Sequence, residues 1–203
     1  MLDPFLRGTK DRILLPVARG VGRSVSPNAV TVASAAVGLG AAWMASREAW
    51  GAALALWLGG RVLDGVDGTL ARATGKQSDF GGYLDILLDF VVYAAVPIGV
   101  AAGVEPEART LFALAWLLGA FFVNSASWMY LAAVLEKRAQ GAGARGEQTS
   151  VTMPTGLIEG TETIVFYSLF LLFPAHAATL FLAMAALVGI NIAQRLAWAA
   201  RHL

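Results

Sequence analysis

The stretch DGVDGTLARATGKQSDFGGYLDILLD, residues 64–89, places five aspartates in a chain that is otherwise strongly apolar. Apolar sequence flanks it on both sides, AALALWLGG shortly before it and FVVYAAVPIGVAAG directly after it. Carboxylates are costly to bury in such surroundings, and those that occur there usually serve a function. The stretch therefore raises the question of which chemistry needs these groups.

The composition decides the class of protein. The chain is 57% hydrophobic and 14% charged, against about 45–50% and about 25% in ordinary soluble domains. Apolar runs recur along it, and a helix of about 20 such residues crosses a hydrocarbon core of about 30 Å. The chain has no cysteine, which excludes disulfides and thiolate metal sites. We therefore expect an integral membrane protein.

Glycine, proline and charged positions divide the apolar sequence into six candidate spans. In the first, Ser26 can cap the helix and Pro27 can occupy its first position. The predicted fold is an all-α integral membrane protein, with six transmembrane helices preceded by an N-terminal amphipathic interfacial helix. We expect one domain over residues 1–203, with the helix bundle at residues 26–203. The expected spans are residues 28–45, 49–73, 79–103, 108–135, 155–173 and 176–199.

Residues 1–25 carry charge throughout and lack the continuous apolar centre of a signal peptide. Apolar residues alternate there with Arg7, Lys10, Arg12 and Arg19, a pattern typical of a helix lying in the lipid headgroup region. We expect an amphipathic juxtamembrane helix in contact with membrane lipids. A solvated arm is the alternative.

The cations predict the orientation, since Lys and Arg concentrate on the cytoplasmic side of membrane proteins. With six spans, one side carries only Arg47 and Arg109, and Arg61 lies inside the second span. Both termini and the aspartate-rich stretch are therefore expected on the cytoplasmic side of the cell membrane. The twelve cations assigned to that side are Arg7, Lys10, Arg12, Arg19, Arg23, Arg72, Lys76, Lys137, Arg138, Arg145, Arg195 and Arg201.

The aspartate spacing predicts a shared site. Asp64 and Asp67 are three residues apart, and Asp85 and Asp89 are four apart, so each pair lies on one helix face. Consecutive antiparallel helices with a short connection usually pack together, which would let the two pairs face each other at one depth. Hard, all-oxygen ligands suit Mg²⁺ or Mn²⁺, as one ion or as a bridged pair. A proton or cation pathway of a transporter is the alternative.

The run DxxDGxxARx8GxxxDxxxD, from Asp64 to Asp89, resembles the signature of the CDP-alcohol phosphotransferases (CDP-alcohol phosphatidyltransferases). The segment SPNAVTV before the first span and the six spans also resemble that family. The resemblance implies an enzyme of phospholipid biosynthesis that takes a CDP-linked lipid, such as CDP-diacylglycerol, and a small polar alcohol, and releases CMP.

The family pattern also implies site residues. Two Mg²⁺ or Mn²⁺ ions would be held by Asp64, Asp67, Asp85 and Asp89, and Asp89 would be the catalytic base. The nucleotide and its diphosphate would contact Asn28, Thr31, Gly68, Ala71, Arg72 and Gly81.

The acceptor alcohol is less clearly marked. Phe90 stands where members that use glycerol phosphate tend to have lysine, whereas Tyr93 and Pro97 look more like the phosphatidylserine and phosphatidylcholine synthase branches. Simple packing would also explain these residues. Possible acceptor-binding residues are Glu159, Glu162 and Arg195, although each could instead serve a structural or lipid contact.

Two rival classes share some of these features. A membrane prenyltransferase also uses aspartates and metal, but usually on distant helices of a longer bundle. A cation transporter would place its polar groups near mid-membrane. No nucleic-acid partner is expected, and a homodimer is a possible assembly.

Overall fold

The computed structural model describes residues 25–105, 107–141 and 158–203. Within these ranges the chain forms six α-helices and one short 3₁₀ turn, Pro174–His176, with no β-strand. The helices are α1 Pro27–Ser46, α2 Trp50–Thr74, α3 Asp79–Gly103, α4 Ala108–Lys137, α5 Gly160–Leu172 and α6 Ala177–His202.

The helix limits follow the sequence prediction closely. Ser26 is the N-cap of α1, with its hydroxyl accepting a hydrogen bond from the Ala29 amide, and Pro27 occupies the first turn. The expected span 79–103 coincides with α3. The expected fifth span began at residue 155, but residues 155–157 lie outside the described residues. The predicted amphipathic helix of residues 1–25 also lies outside them, apart from residue 25.

A four-residue turn, residues 75–78, joins the two helices that carry the aspartates. Gly75 ends α2 in the left-handed conformation, with φ 64°, which glycine adopts without strain. Ser78 then caps α3, since its hydroxyl accepts a hydrogen bond from the Gly81 amide at 3.1 Å. Gly75 therefore fixes the end of α2, and Ser78 fixes the start of α3, both close to the aspartates.

Contrary to expectation, α2 and α3 do not pack closely against each other. Both pack against α1, and α2 and α3 meet through side chains such as Arg61 and Asp89. Small residues allow this approach: a Cβ at Gly60 would lie 3.4 Å from the Ser34 carbonyl oxygen, and one at Gly38 would lie 2.6 Å from the Val92 side chain. A Cβ at Gly99 would overlap the Ala42 carbonyl. The gap left between α2 and α3 is the space into which the acidic side chains extend.

Contacts between helix ends show that the first three helices alternate in direction. Gly81 of α3 lies beside Asn28 at the start of α1. At the opposite end, Gly103 of α3 lies beside Ala45 of α1 and Trp50, the first residue of α2. Consequently α1 and α3 run in the same direction, and α2 runs against them.

The second half of the chain continues the alternation. Near the starts of α4 and α6, Arg109 Nη2 of α4 donates a hydrogen bond to the Thr179 hydroxyl of α6 at 3.4 Å. Near their ends Arg138 donates to the Leu203 carbonyl at 2.7 Å. Helix α5 packs on α2, and its Tyr167 and Phe170 are fully buried in the main core with Trp57 and Phe181.

Four of the described helical segments are long and apolar enough to cross a membrane, namely Pro27–Ser46, Asp79–Gly103, Ala108–Lys137 and Pro174–His202. Helix α2 has the length but carries Arg61, Asp64, Asp67 and Arg72. Helix α5 has 13 residues, about 20 Å at 1.5 Å per residue. The protein is therefore a multi-pass, all-α membrane protein.

Candidate metal and active site

Three aspartates converge in the gap between α2 and α3. Asp64, Asp67 and Asp85 each offer a carboxylate oxygen, and these three oxygens lie within 4.8 Å of one another. Asp67 is buried, while Asp64 and Asp85 are partly exposed. The convergence expected from the 3-residue and 4-residue spacings is confirmed for these three residues.

The fourth aspartate stands apart from this group. Asp89 lies one turn beyond Asp85 on α3, and its Oδ1 accepts a hydrogen bond from Arg61 Nη1 at 2.7 Å. The same nitrogen lies 3.6 Å from Asp64 Oδ2. A ligand role for Asp89 stays a prediction, since the described geometry pairs it with a guanidinium.

Aromatic rings surround that guanidinium on the side away from the three clustered aspartates. The Arg61 guanidinium carbon lies 5.1 Å from the Trp57 ring centroid and 5.4 Å from that of Tyr93, within cation–π range. Trp57 stacks on Tyr167 at 4.9 Å, and the Tyr167 hydroxyl donates to the Tyr93 carbonyl at 2.6 Å. Three helices, α2, α3 and α5, thus form one aromatic layer beneath the site.

The residues expected around the nucleotide lie at the same end of the bundle. Thr31 of α1 lines a narrow pocket together with Arg61, Asp64, Asp85 and Asp89. A Cβ at Gly81 would lie 3.1 Å from the Asn28 side-chain oxygen. The structure therefore brings the start of α1 to the acidic site, and nucleotide contacts by Asn28 and Thr31 stay a prediction.

Arg72 lies over the backbone of α2 near the three clustered aspartates. A Cβ at Gly68 would lie 3.3 Å from Arg72 Nη1, and Arg72 Nη2 donates to the Thr69 hydroxyl at 3.4 Å. Ala71 is partly exposed one position earlier. Nucleotide binding by these residues stays a prediction, but their placement around Asp64 and Asp67 fits it.

The possible acceptor-binding residues have structural partners. Glu159 and Glu162 form a capping box at the start of α5, in which the Glu159 amide donates to Glu162 Oε2 at 3.2 Å. Buried Arg195 donates to the Asn124 side-chain oxygen at 3.0 Å and to the Ser127 hydroxyl at 3.3 Å. Asn124 and Ser127 of α4 thus join α6 through Arg195, and acceptor binding by the three charged residues stays a prediction.

Sequence reasoning missed the contacts of two buried polar residues, Arg61 and Asn191. The pairing of Arg61 with Asp64 and Asp89 was not predicted, although its position three residues before Asp64 is a detectable i, i+3 signal. Asn191 was not considered: its side chain accepts from the Ile158 amide at 3.1 Å and donates to the Ile158 carbonyl at 2.8 Å. This fully buried amide fixes the chain just before α5. A contact between positions so far apart in the sequence has no local spacing that would predict it.

The three clustered aspartates fit a divalent metal. Among the described residues, Asp67 Oδ2 is buried and has no hydrogen-bond partner, a costly arrangement for a carboxylate unless something else binds it. Three hard oxygen ligands at this spacing suit Mg²⁺ or Mn²⁺. Asp64, Asp67 and Asp85 are the residues that would hold the ion.

Fold and site together define a helical membrane protein with a carboxylate group able to hold a metal ion. A family model described as CDP-alcohol phosphatidyltransferase matches residues 24–200. The chain belongs to this family, so it is a transferase of phospholipid biosynthesis, and the prenyltransferase and transporter alternatives are set aside.

Individual relatives agree with this assignment. The chain is 37% identical over 179 residues to the inner membrane protein YnjF of Escherichia coli, covering 88% of this chain and 85% of the relative. It is 33% identical over 144 residues to archaetidylinositol phosphate synthase of Pyrococcus horikoshii, covering 71% and 67%.

Solved structures show the same fold. Phosphatidylinositol phosphate synthase of Mycobacterium tuberculosis with CDP-DAG bound superposes with a TM-score of 0.69 at 23% identity, covering 91% of this chain and 92% of that one. The same enzyme in complex with manganese and citrate gives 0.71 at 22% identity, covering 90% and 87%.

Proposed function

We propose that the protein transfers a phosphatidyl group from CDP-diacylglycerol to the hydroxyl of a small polar alcohol and releases CMP. The observation that supports this most directly is the group of three aspartates at one end of a membrane bundle, with Arg72 and Asn28 beside it. Such a site can hold a diphosphate while the acyl chains of the donor remain in lipid.

Each residue has a definite part in the proposed reaction. Asp89 accepts the proton of the acceptor hydroxyl, and the acceptor oxygen forms a bond to the phosphorus that carries diacylglycerol. The bond from that phosphorus to the bridging oxygen breaks, and this oxygen leaves with CMP. Arg72 binds the phosphate oxygens. The metal, when bound, neutralises the charge that develops on the leaving phosphate.

The proposed metal is Mg²⁺ or Mn²⁺. The three aspartate oxygens within 4.8 Å of one another can hold one ion as they stand. The two ions expected from the sequence remain a prediction, because the fourth aspartate is paired with Arg61. Titration with Mn²⁺ decides the number.

We further propose that all six helices cross the cell membrane and that the site faces the cytoplasm. Arg72, Lys76, Lys137, Arg138 and Arg201 lie at or near the helix ends on the site's side, whereas Arg47 and Arg109 lie at the other. The positive-inside rule then assigns the site to the cytoplasm. A single domain over residues 1–203 and a homodimer stay predictions.

The reaction is tested by CMP release from purified protein given CDP-diacylglycerol and Mg²⁺ or Mn²⁺. The acceptor panel contains glycerol 3-phosphate, serine, choline, inositol and inositol phosphate. We expect metal-dependent release with one acceptor, and mass spectrometry of the lipid product identifies it. CDP-diacylglycerol binding without release would point to another acceptor or donor, and no binding of any CDP compound would refute the proposal.

The role of Asp89 is tested by Asp89→Asn. An amide of the same shape cannot accept the proton, so kcat should fall at least about 1000-fold, while metal-dependent CDP binding is retained. Asp79→Asn is the matched control, since Asp79 is exposed in the first turn of α3 and lies outside the site. Full activity of Asp89→Asn would remove this residue as the base.

A further inference from the structure

We propose that Thr69 is a positioning residue, which holds the Arg72 guanidinium over the backbone of α2 so that it can bind the diphosphate of a CDP-linked donor. The inference rests on the proposed function, in which Arg72 binds the phosphate oxygens. It adds a residue that is neither a predicted metal ligand nor a predicted nucleotide or acceptor contact.

The hydroxyl of Thr69 is directed by its own hydrogen bonds. Thr69 is 3% exposed, and its Oγ1 donates to the Gly65 carbonyl at 2.9 Å. Because a hydroxyl has one proton, this oxygen has only lone pairs left to offer to a second polar group. A guanidinium has only donors, and Arg72 Nη2 donates to Thr69 Oγ1 at 3.4 Å. The two side chains are therefore complementary as acceptor and donor.

Gly68 provides the space for this contact. A Cβ at Gly68 would lie 3.3 Å from Arg72 Nη1, so the guanidinium lies directly over the helix backbone at this position. Asp64, Gly68 and Arg72 follow one another at intervals of four residues on one face of α2. The guanidinium at the level of Gly68 is thus about 6 Å along the helix from Asp64. One donor phosphate at the three clustered aspartates leaves the next phosphate within reach of Arg72.

The restraint matters because Arg72 is exposed. A long, exposed side chain loses rotamer freedom when it binds a ligand, and this loss weakens the binding. A side chain that is already held in its binding orientation loses less. Thr69 should therefore strengthen donor binding without taking part in the chemical step.

The test begins with two variants of Thr69. Thr69→Val removes the hydroxyl and keeps the shape of the side chain, whereas Thr69→Ser keeps the hydroxyl. Thr163→Val is the matched control, since Thr163 of α5 is 7% exposed and its hydroxyl makes the same kind of bond, to the Glu159 carbonyl at 2.8 Å. Binding of CDP in the presence of Mn²⁺ is measured by isothermal titration calorimetry. Binding of Mn²⁺ alone is measured by electron paramagnetic resonance of the free ion.

For Thr69→Val we expect CDP binding about fivefold weaker and a KM for CDP-diacylglycerol raised about fivefold, with kcat changed less than about twofold. The affinity for Mn²⁺ alone should stay at the wild-type value, because Arg72 is not a metal ligand. Thr69→Ser should restore CDP binding, and Thr163→Val should bind CDP as the wild type does.

A double-mutant cycle then separates positioning of the guanidinium from a general effect on α2. Arg72→Met removes the guanidinium, so Thr69→Val made in that background should weaken CDP binding no further. A fivefold loss in both backgrounds, a parallel loss of Mn²⁺ affinity, or wild-type CDP binding by Thr69→Val would overturn the inference. If Thr69→Val does not fold, Thr69→Ala takes its place in the same cycle.

The binding measurement also distinguishes this inference from the proposed function. Wild-type protein that binds no CDP with Mn²⁺ present would refute both. Wild-type protein that binds CDP as tightly as Thr69→Val does would refute the role of Thr69 alone. CDP binding needs no acceptor, so the result does not depend on which alcohol the enzyme uses.

Discussion

At the scale of single residues, the three clustered aspartates destabilise the metal-free protein and at the same time form a binding site. Three carboxylates with oxygens within 4.8 Å repel one another, and Asp67 Oδ2 is buried without a hydrogen-bond partner among the described residues. Opposite charge from a metal relieves both problems. The metal-free protein should therefore gain stability when one of these charges is removed, as is common at functional sites.

Replacement of Asp67 tests this trade-off directly. Asp67→Asn should raise the free energy of unfolding of the metal-free protein by about 1 kcal/mol, because the amide is neutral and can donate to the neighbouring carboxylates. The same change should weaken Mn²⁺ binding at least about 100-fold. Thermal unfolding in detergent and Mn²⁺ titration measure the two effects. Destabilisation with unchanged Mn²⁺ affinity would show that Asp67 is a structural residue and not a ligand.

The sequence predicted the convergence of the aspartates, but it did not predict the pairing of Asp89 with Arg61. Regular spacing predicted that Asp64 and Asp67 share one face of α2, because helix periodicity is fixed, and the packing of α2 and α3 on α1 brings both residues close to Asp85. The pairing of Asp89 with Arg61 depends on the side-chain directions of α2 and α3 and on the aromatic layer contributed partly by α5. Contacts of that kind join positions 28 and more residues apart, and no local spacing encodes them.

At the scale of helices, α1 is the element that determines the shape of the site. It packs closely on both α2 and α3, and the close packing depends on residues without large side chains. Helix limits could be predicted from caps and apolar runs, and those of α3 were correct at both ends. The close packing of α2 on α3 was predicted wrongly, because both helices pack on α1 instead.

Two glycines provide a matched test of this packing. A Cβ at Gly99 of α3 would overlap the Ala42 carbonyl of α1, whereas a Cβ at Gly59 of α2 meets nothing within 4 Å. Gly99→Ala should lower the free energy of unfolding by about 1–3 kcal/mol. Gly59→Ala should leave it unchanged or raise it by up to about 1 kcal/mol, since alanine favours helix. Thermal unfolding in detergent compares them, and equal stabilities would show that α1 and α3 are less tightly packed than described.

At the scale of the whole molecule, the alternating helices separate two chemically different ends. The end with the three clustered aspartates contains the starts of α1 and α3 and the end of α2, joined by the turn that includes Lys76. The opposite end contains the α1–α2 connection, with Arg47 and Glu48, and Glu105 and Glu107 between α3 and α4. The side of the membrane that Lys76 faces is therefore also the side that the site faces. The donor headgroup and the acceptor must enter from that side.

Single-cysteine labelling answers that question, because the natural chain has no cysteine. Lys76→Cys and Arg47→Cys place thiols at exposed positions on opposite ends of α2. In intact cells a membrane-impermeant maleimide should label Arg47→Cys and leave Lys76→Cys unlabelled until the membrane is permeabilised, as the distribution of cations predicts. Labelling of Lys76→Cys from outside would reverse the orientation and move the site to the outer face. Labelling of both variants from outside would show that α2 does not cross the membrane. That result would refute the proposed six-span arrangement.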